Sequence, residues 1–346
     1  MSYLKRGVVV DGRWAVGPVI GAGGFGVVYR VTDVTTGEPA ALKTLRREGF
    51  QDEMLVKRLL REARVCSELE SPHTARLLAV GDLLGQEGRS LPYMAFELVR
   101  GLSLAAILDV RGSLSERETA RILHDVLVSL TEAHGRGVLH RDMKPGNIMC
   151  VAPEDRLRPL GRGPDVDDVL GVPAATDALW RDLVPLQVKV LDFGLAKLLP
   201  RDKPVTRLTE PGMGAGTAEY MSPEQAEGQG DLDARSDIYS VGMLIFRFLV
   251  GHAPHLGETA VDVALKHLLE NLPSLPRPFN AHPLARVYDR AGQRERTRRF
   301  PNATAMAAAL EPIAWPERDA SESSALLYLE NAPARPGFFA RLFGRR

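Results

Sequence analysis

The sequence predicts an α+β fold in which a small β-rich lobe with one key helix precedes a larger, mainly helical lobe. Three observations carry this. Between Arg13 and Leu45, β-branched and aromatic residues recur in WAVGPVI, VVYRVT and AALKTL, broken by GAGGFG and the turn cluster TTGEP, which is the punctuation of an antiparallel meander. Beyond Gly101 the apolar spacing turns helical and stays mostly helical or loop to about Ile313. Finally, 346 residues with 45% hydrophobic and 25% charged content match an ordinary globular composition, long enough for one large two-lobed domain or two smaller ones.

In chain order, residues 1–12 read as an N-terminal extension. The meander follows, and Glu53 to Leu69 then adopts helical spacing, with Leu55, Leu59, Cys66 and Leu69 in one stripe and Glu62 on that same stripe. A carboxylate on an inward face needs a buried partner. Two further strands, Leu77 to Asp82 and Tyr93 to Leu98, flank the turn GQEG, and the lobes join near Val99 to Gly101. Ser115 followed by Glu118 has the capping-box pattern, and Ile122, Leu123, Val126, Leu127 and Leu130 continue as a helix until the stop signal GRG at Gly135. The longest apolar run, Ile238 to Val250, contains Arg247 and falls short of the ~20 residues of a membrane span, so it reads as a buried helix. The start has no apolar signal segment, so a cytoplasmic location is expected.

Charge excludes little but removes one class. Lys+Arg 44 balance Asp+Glu 44, which gives no argument for nucleic acid. Cys66 and Cys150 are the two cysteines, too few for a disulfide framework, and read as structural thiols in a reducing compartment.

The chemistry lies in a set of dispersed motifs. Gly21, Ala22, Gly23, Gly24, Phe25 and Gly26 begin GAGGFGVV, where missing side chains let backbone N–H groups approach phosphates. A dinucleotide fold would need a helix directly after these glycines; here VVYRVT alternates as a strand. Lys43 in AALK would point into that phosphate cleft, and Glu62 on the neighbouring helix would supply its counter-charge. HRDMKPGN, His140 to Asn147, and LDFG, Leu191 to Gly194, complete the set.

With these motifs in order over Arg13 to Ile313, the chain resembles a Hanks-type (eukaryotic-like) serine/threonine protein kinase, most similar to the bacterial branch. The resemblance implies a bilobal protein-kinase-like fold, an upper lobe at 13–99 and a lower lobe at 100–313, and the cofactors ATP and Mg²⁺, with Mn²⁺ as the alternative metal. It implies that Asp142 accepts the proton of the substrate hydroxyl, that Asn147 and Asp192 hold the metal, and that Lys144 touches the γ-phosphate as in serine/threonine kinases. Around the adenine it puts Ile20, Val28 and Ala41 on the roof, Phe96 at the gatekeeper position, Glu97 to Val99 in the hinge and Met149 on the floor. GTAEYMSPEQ, Gly216 to Gln225, is similar to the family's substrate-docking loop, with SPE in place of the usual APE. Thr217 would then lie near the acceptor hydroxyl, Glu224 would pair with Arg299, and Asp237 would anchor the catalytic loop. Arg141 beside the catalytic Asp implies switching by a phosphothreonine, for which Thr206 and Thr209 are the candidates.

Two segments depart from this pattern. The family separates its catalytic Asn and DFG Asp by about a dozen residues, whereas here Cys150 opens an excursion to Gln187, the insertion at about 151–187, with an expected short helix at Ala174 to Leu183. Its acidic run Asp165 to Asp168 lacks the ligand ladder of a Ca²⁺ site and reads as a solvated loop. Trp180 and Leu183 are expected as an apolar anchor, either for a docking partner or for the chain's own back. The tail at 314–346 ends in PGFFARLFGRR, whose Phe338, Phe339, Leu342 and Phe343 with Arg341, Arg345 and Arg346 suggest a weak peripheral membrane contact, against docking on the lower lobe.

Three functions compete. A catalytically silent scaffold would have lost one of Lys43, Glu62, Asp142, Asn147 or Asp192, and all are present. A small-molecule kinase of related fold would lack the docking loop GTAEYMSPEQ. An active kinase phosphorylating Ser/Thr hydroxyls of proteins, itself included, is the reading that uses every motif.

Overall fold

The alternation read in the first hundred residues becomes a curled antiparallel sheet. A computed structural model describes residues 4–23, 26–45, 63, 65–84, 90–158, 169–184, 186–193 and 218–316. Strands β1 (Val9–Val10), β2 (Trp14–Gly23), β3 (Gly26–Asp33), β4 (Pro39–Leu45), β5 (Leu77–Leu84) and β6 (Ser90–Glu97) pair in the order β1-β2-β3-β4-β6-β5. The short β1 comes from the N-terminal extension, pairing Val9 with Ala15 and Val10 with Trp14.

Period-two alternation divides this sheet into two chemically different faces. Val27, Tyr29, Val31, Ala40, Leu42, Tyr93 and Ala95 are buried with Trp14 and Val16 in a core of their own. The residues between them face the other way. Lys43 lies opposite Val28 and Met94, and Ala41 opposite Arg30 and Phe96; directly paired residues share a face, so Val28, Arg30, Ala41, Lys43 and Phe96 all look toward the lower lobe. Of the expected helix ending at Leu69, Ala63, Val65 and Cys66 are helical among the described residues, and Cys66 and Leu69 are buried as the stripe requires.

The lower lobe is built on helices α1 (Leu104–Arg111), α2 (Glu116–Gly135), α3 (Pro223–Glu227), α4 (Ala234–Val250), α5 (Ala260–Leu269), α6 (Pro283–Ala291) and α7 (Ala303–Ala314). The capping box at the start of α2 forms as expected: Ser115 Oγ accepts from Glu118 N at 3.3 Å, and Glu118 Oε2 accepts from Ser115 N at 2.9 Å. Helix α4 is buried almost all round, which explains its unbroken apolar sequence. Arg247 escapes through backbone carbonyls, donating to Gly112 and Gly251. Among the described residues no helix is long and apolar enough to cross a membrane.

A second sheet, β7 (Gly101–Ser103), β8 (Ile148–Val151) and β9 (Val188–Val190), lies where the lobes meet. Strand β7 was not legible, because three residues carry no periodicity. Strands β8 and β9 pair directly, Ile148 with Val190 and Cys150 with Val188, and Val151 N donates to Gln187 O at 2.8 Å. The insertion therefore leaves and rejoins the lobe at one closed base.

Within the insertion the structure corrects one expectation and decides between the two alternatives of another. The helix expected over Ala174 to Leu183 is a single 3-10 turn, Ala178–Arg181, capped by Asp177. It cannot extend, because Leu183 N donates to Glu118 Oε1 at 3.1 Å instead of to a helical carbonyl. Of the two anchors expected for Trp180 and Leu183, the chain's own body is the one found: Trp180 is 1% and Leu183 0% exposed, packed into the main lower-lobe core with Val172 and Leu186, which leaves neither for a docking partner. Arg111 ties the turn down, donating to Trp180 O at 3.1 Å while its guanidinium grips both carboxylate oxygens of Glu118 at 2.7 and 2.8 Å. Asp165 to Asp168 lie outside the described residues, as does the tail from Glu317.

Trp180→Ala should therefore cost about 3–5 kcal/mol of unfolding free energy in chemical denaturation, the range for deleting a buried aromatic. A loss below about 1 kcal/mol would mean the turn is not part of the core.

Candidate active site

Asp237 stands in the first turn of α4, 1% exposed, and its carboxylate is the acceptor around which the HRD segment is folded. Oδ2 accepts from His140 N at 2.8 Å and Oδ1 from Arg141 N at 2.8 Å, while His134 Nε2 on α2 donates to Oδ2 at 2.8 Å. Burial pushes this carboxyl up, but His134 and the backbone donors outweigh it and hold it below the ordinary Asp range. The two N–H bonds fix a backbone that is otherwise unfavourable: Arg141 has φ 63°, the left-handed region that a non-glycine residue adopts at a cost of about 1 kcal/mol or more. The sequence pointed to Asp237; His134 it did not, because one more histidine in a helix carries no signal.

His140 is fully buried and its tautomer follows from its neighbours. Asp142 N donates to Nδ1 at 3.2 Å, so Nδ1 is the acceptor and Nε2 carries the hydrogen that it gives to Leu191 O at 2.9 Å. Burial lowers the imidazole's pKa against the pull of Asp237, keeping it neutral. The His140 side chain thus connects the HRD loop to the strand leading into DFG. Asn147 O adds a second link, accepting from Leu191 N at 2.8 Å. Between these bonds Asp192 sits at φ 53°, the second strained non-glycine residue of the site.

Around this frame the predicted side chains converge. Lys144 Nζ lies 3.0 Å from Asp142 Oδ2, and Asn147 Nδ2 donates to Asp142 O at 2.7 Å and to Asp142 Oδ2 at 3.3 Å. Lys43 Nζ reaches down from β4 to Asp192 Oδ2 at 2.8 Å, closing the upper lobe onto the lower. Asp192 keeps 37% of its side chain exposed and Asp142 14%. Lys43 was paired with Glu62 from the sequence; Glu62 lies outside the described residues, and so do Gly24, Phe25, Thr206, Thr209 and Thr217.

The donor set fits a hard divalent cation. Because Asn147 turns its NH₂ group toward Asp142, its Oδ1 remains an acceptor, and an amide oxygen with the Asp192 carboxylate is the kind of oxygen donor set that suits Mg²⁺.

The residues assigned to the adenine pocket share an intermediate exposure. Ile20, Val28, Ala41, Phe96, Val99 and Met149 are neither buried nor exposed, as expected for side chains lining a cleft. Gly21 pairs with Val28, Ala22 with Val27 and Gly23 with Gly26, making a hairpin above it. The Glu97 side chain turns away from the cleft to Lys189 and to Arg76 Nε at 3.2 Å, leaving only its backbone to the hinge.

The described part of the segment read as a docking loop, residues 218–225, is anchored from below. Glu224 on α3 receives both Nη groups of Arg299 at 2.8 and 2.9 Å and Ser236 Oγ at 2.6 Å. Arg299, 2% exposed, also donates to the carbonyls of Gln293, Arg294 and Arg235, so all of its N–H groups are engaged. Burial pushes the Glu224 carboxyl up, yet Arg299 and Ser236 hold it below the usual range. Ser222, the departure from APE, acquires a reason: its hydroxyl caps α3 in a reciprocal box with Gln225, which Ala cannot do. Gln225 Nε2 then donates to Arg141 O at 2.9 Å, joining this segment to the HRD loop. Sequence reading missed Gln225; its spacing of three from Ser222 was the available signal.

Arg299→Met should cost about 3–5 kcal/mol, since it strands the Glu224 carboxylate in the interior. The sign with pH follows from the depressed carboxyls. Glu224 and Asp237 contribute stability that is complete above the ordinary carboxylate pKa of about 4 and is lost as pH falls through their lower native values. Melting temperature should accordingly hold from neutrality to about pH 5 and fall below pH 4. In Arg299→Met, where burial is opposed chiefly by the Ser236 hydroxyl, the acid limb should begin at higher pH; coincident limbs in the two proteins would contradict the assignment.

Comparison with known proteins places this geometry. Residues 14–287 match the family described as protein kinase domain. The chain is 36% identical over 281 residues to serine/threonine-protein kinase pkn3 of Myxococcus xanthus, covering 81% of this chain and 45% of that protein. It is 32% identical over 333 residues to serine/threonine-protein kinase PknL of Mycobacterium tuberculosis, covering 92% and 73%. It superposes on the crystal structure of the M. tuberculosis PknI kinase domain with a TM-score of 0.63 at 22% identity, over 91% of this chain and 100% of that one. The chain spans less than half the length of the first two curated relatives it matches, 45% and 37%.

Proposed function

Because the chain belongs to the protein kinase family, we propose that it transfers the γ-phosphate of ATP to serine or threonine hydroxyls of proteins, its own loop included. The observation that carries this reading is one contact chain across the cleft, Lys43 to Asp192 on one side and Lys144 to Asp142 to Asn147 on the other, joined through Leu191.

In this mechanism Asp142 accepts the proton of the acceptor hydroxyl as that oxygen bonds to the γ-phosphorus. The bond from phosphorus to the β–γ bridging oxygen breaks, and ADP leaves with the electron pair. Lys144, 3.0 Å from Asp142, would meet the transferring phosphoryl group, and Lys43 would face the preceding phosphates. Asn147 and Asp192 would hold Mg²⁺, which when bound neutralises phosphate charge. The chain's own contribution is alignment and fixed charge, and both favour the transition state because the groups are held before substrate arrives. Lys144 after HRD and the relatives described as serine/threonine kinases support the choice of acceptor.

Asp142→Ala should lower phosphorylation of the chain itself and of a generic basic protein by about 10²- to 10⁴-fold, the worth of general-base assistance, with ADP binding retained. Transfer at the wild-type rate would remove Asp142 from this role. Peptide mapping after incubation with ATP is expected to find phosphate on Thr206 or Thr209, the candidates for pairing with Arg141; an unmodified loop would exclude that switch.

A further inference from the structure

The returning half of the insertion is attached to both lobes at once. Four successive carbonyls, those of residues 169 to 172, are each taken by an arginine. Arg30 Nη1 donates to Val169 O at 3.3 Å and Arg100 Nε to Leu170 O at 3.0 Å. Arg158 gives its backbone N–H to Gly171 O at 2.6 Å and its Nη2 to Val172 O at 2.5 Å. Leu170, Gly171 and Val172 are buried beneath these donors.

The four attachments are not equivalent. Arg158 belongs to the insertion's outgoing leg, and Arg100 lies at the lobe crossing, where its own carbonyl accepts from Ala152 N at 2.9 Å. Those bonds, with the buried Val172, Trp180 and Leu183, fasten the segment to the lower lobe. Arg30 alone reaches from the upper lobe. It lies on the cleft face of β3, beside Ala41 and two residues along from Val28, so its bond to Val169 closes the hinge side of the cleft that Lys43 closes from within. Two guanidiniums are drawn close there: burial, then Arg100, lowers the pKa of Arg30. Such an approach is favourable only where acceptors stand between like charges, and the row of carbonyls supplies them. Gly171 is required at the bend, with φ 69° and a hypothetical Cβ at 2.2 Å from Arg158 O and 2.7 Å from Arg100 Nη2.

We propose that residues 169–172 form a strap that ties β3 to the lower lobe across the outer mouth of the cleft, limiting lobe opening and so strengthening nucleotide binding. Arg30 acts as a positioning residue through this strap, and the nucleotide part rests on the reading of the cleft as an ATP site. A ligand that needs the closed cleft binds more weakly by the fraction of molecules that are open.

The test separates the two readings. Spin labels introduced at the exposed positions Val34 of the upper lobe and Val110 of α1 report lobe separation without any nucleotide. Arg30→Ala should broaden and lengthen the distance distribution, whereas Arg30→Lys, which still donates, should restore most of the wild-type distribution. In parallel, ADP with Mg²⁺ should bind Arg30→Ala about 3- to 10-fold more weakly, the scale of one charge-assisted hydrogen bond partly screened by solvent, and Arg30→Lys within about twofold of wild type. Gly171→Val, which dislodges the strap from the lower lobe, should reproduce the loss, and the double variant should be no worse than either single one. Unchanged distances in Arg30→Ala would overturn the strap, and so would additive losses in the double variant. Failure of the wild-type chain to bind ADP would instead count against the cleft as an ATP site, with the distance measurement still deciding the strap.

Discussion

The buried carboxylate of Asp237 is the constraint from which the site is built. It is far from the cleft in sequence and touches no predicted ligand-binding atom, yet it holds two consecutive backbone N–H groups in the one turn that aims Asp142. A buried charge of this kind is tolerated only when its lone pairs are filled. That demand is what converts helix α4, the most buried element of the lower lobe, into a template for the loop above it. The strain at Arg141 and Asp192 is then held in place by the lobe's whole apolar core rather than by the loop itself.

From Asp237 the connections run outward in two directions. Through His140 and Leu191 they reach Asp192, and through Asp192 the upper lobe's Lys43. Through Arg141 O and Gln225 they reach α3, whose Glu224 is gripped by Arg299. The two outermost links, Lys43 to Asp192 and Arg299 to Glu224, join side chains, whereas those nearest Asp237 each join a side chain to a main-chain group of another element. Main-chain partners cannot change rotamer, so the chain of contacts transmits position accurately, as phosphoryl transfer demands of groups that must be in line before reaction.

The insertion follows the same logic on a different wall. Its sequence, rich in Pro, Gly and Asp, looks like solvated loop, and in composition it is one. Structure comes from what receives it: arginines from three separate segments donate to its carbonyls, and Trp180 and Leu183 fill the lobe. A segment with few periodic apolar residues can therefore be ordered by donors that lie elsewhere in the chain.

What the sequence by itself determined was whatever depends on local rules. The meander, the capping box at Ser115, the buried helix ending at Val250 and the pairing of Glu224 with Arg299 were legible, because each is written in periodicity, a short motif or a family spacing. Strand β7, the partners His134 and Gln225 and the bond from Arg30 to Val169 were not. In each of these the deciding atom is a neighbour in space that is distant in sequence, 139 positions for Arg30 and Val169. Only the packing of helices and sheets decides which distant donor meets which acceptor, and it does so because a buried polar group has no water to turn to.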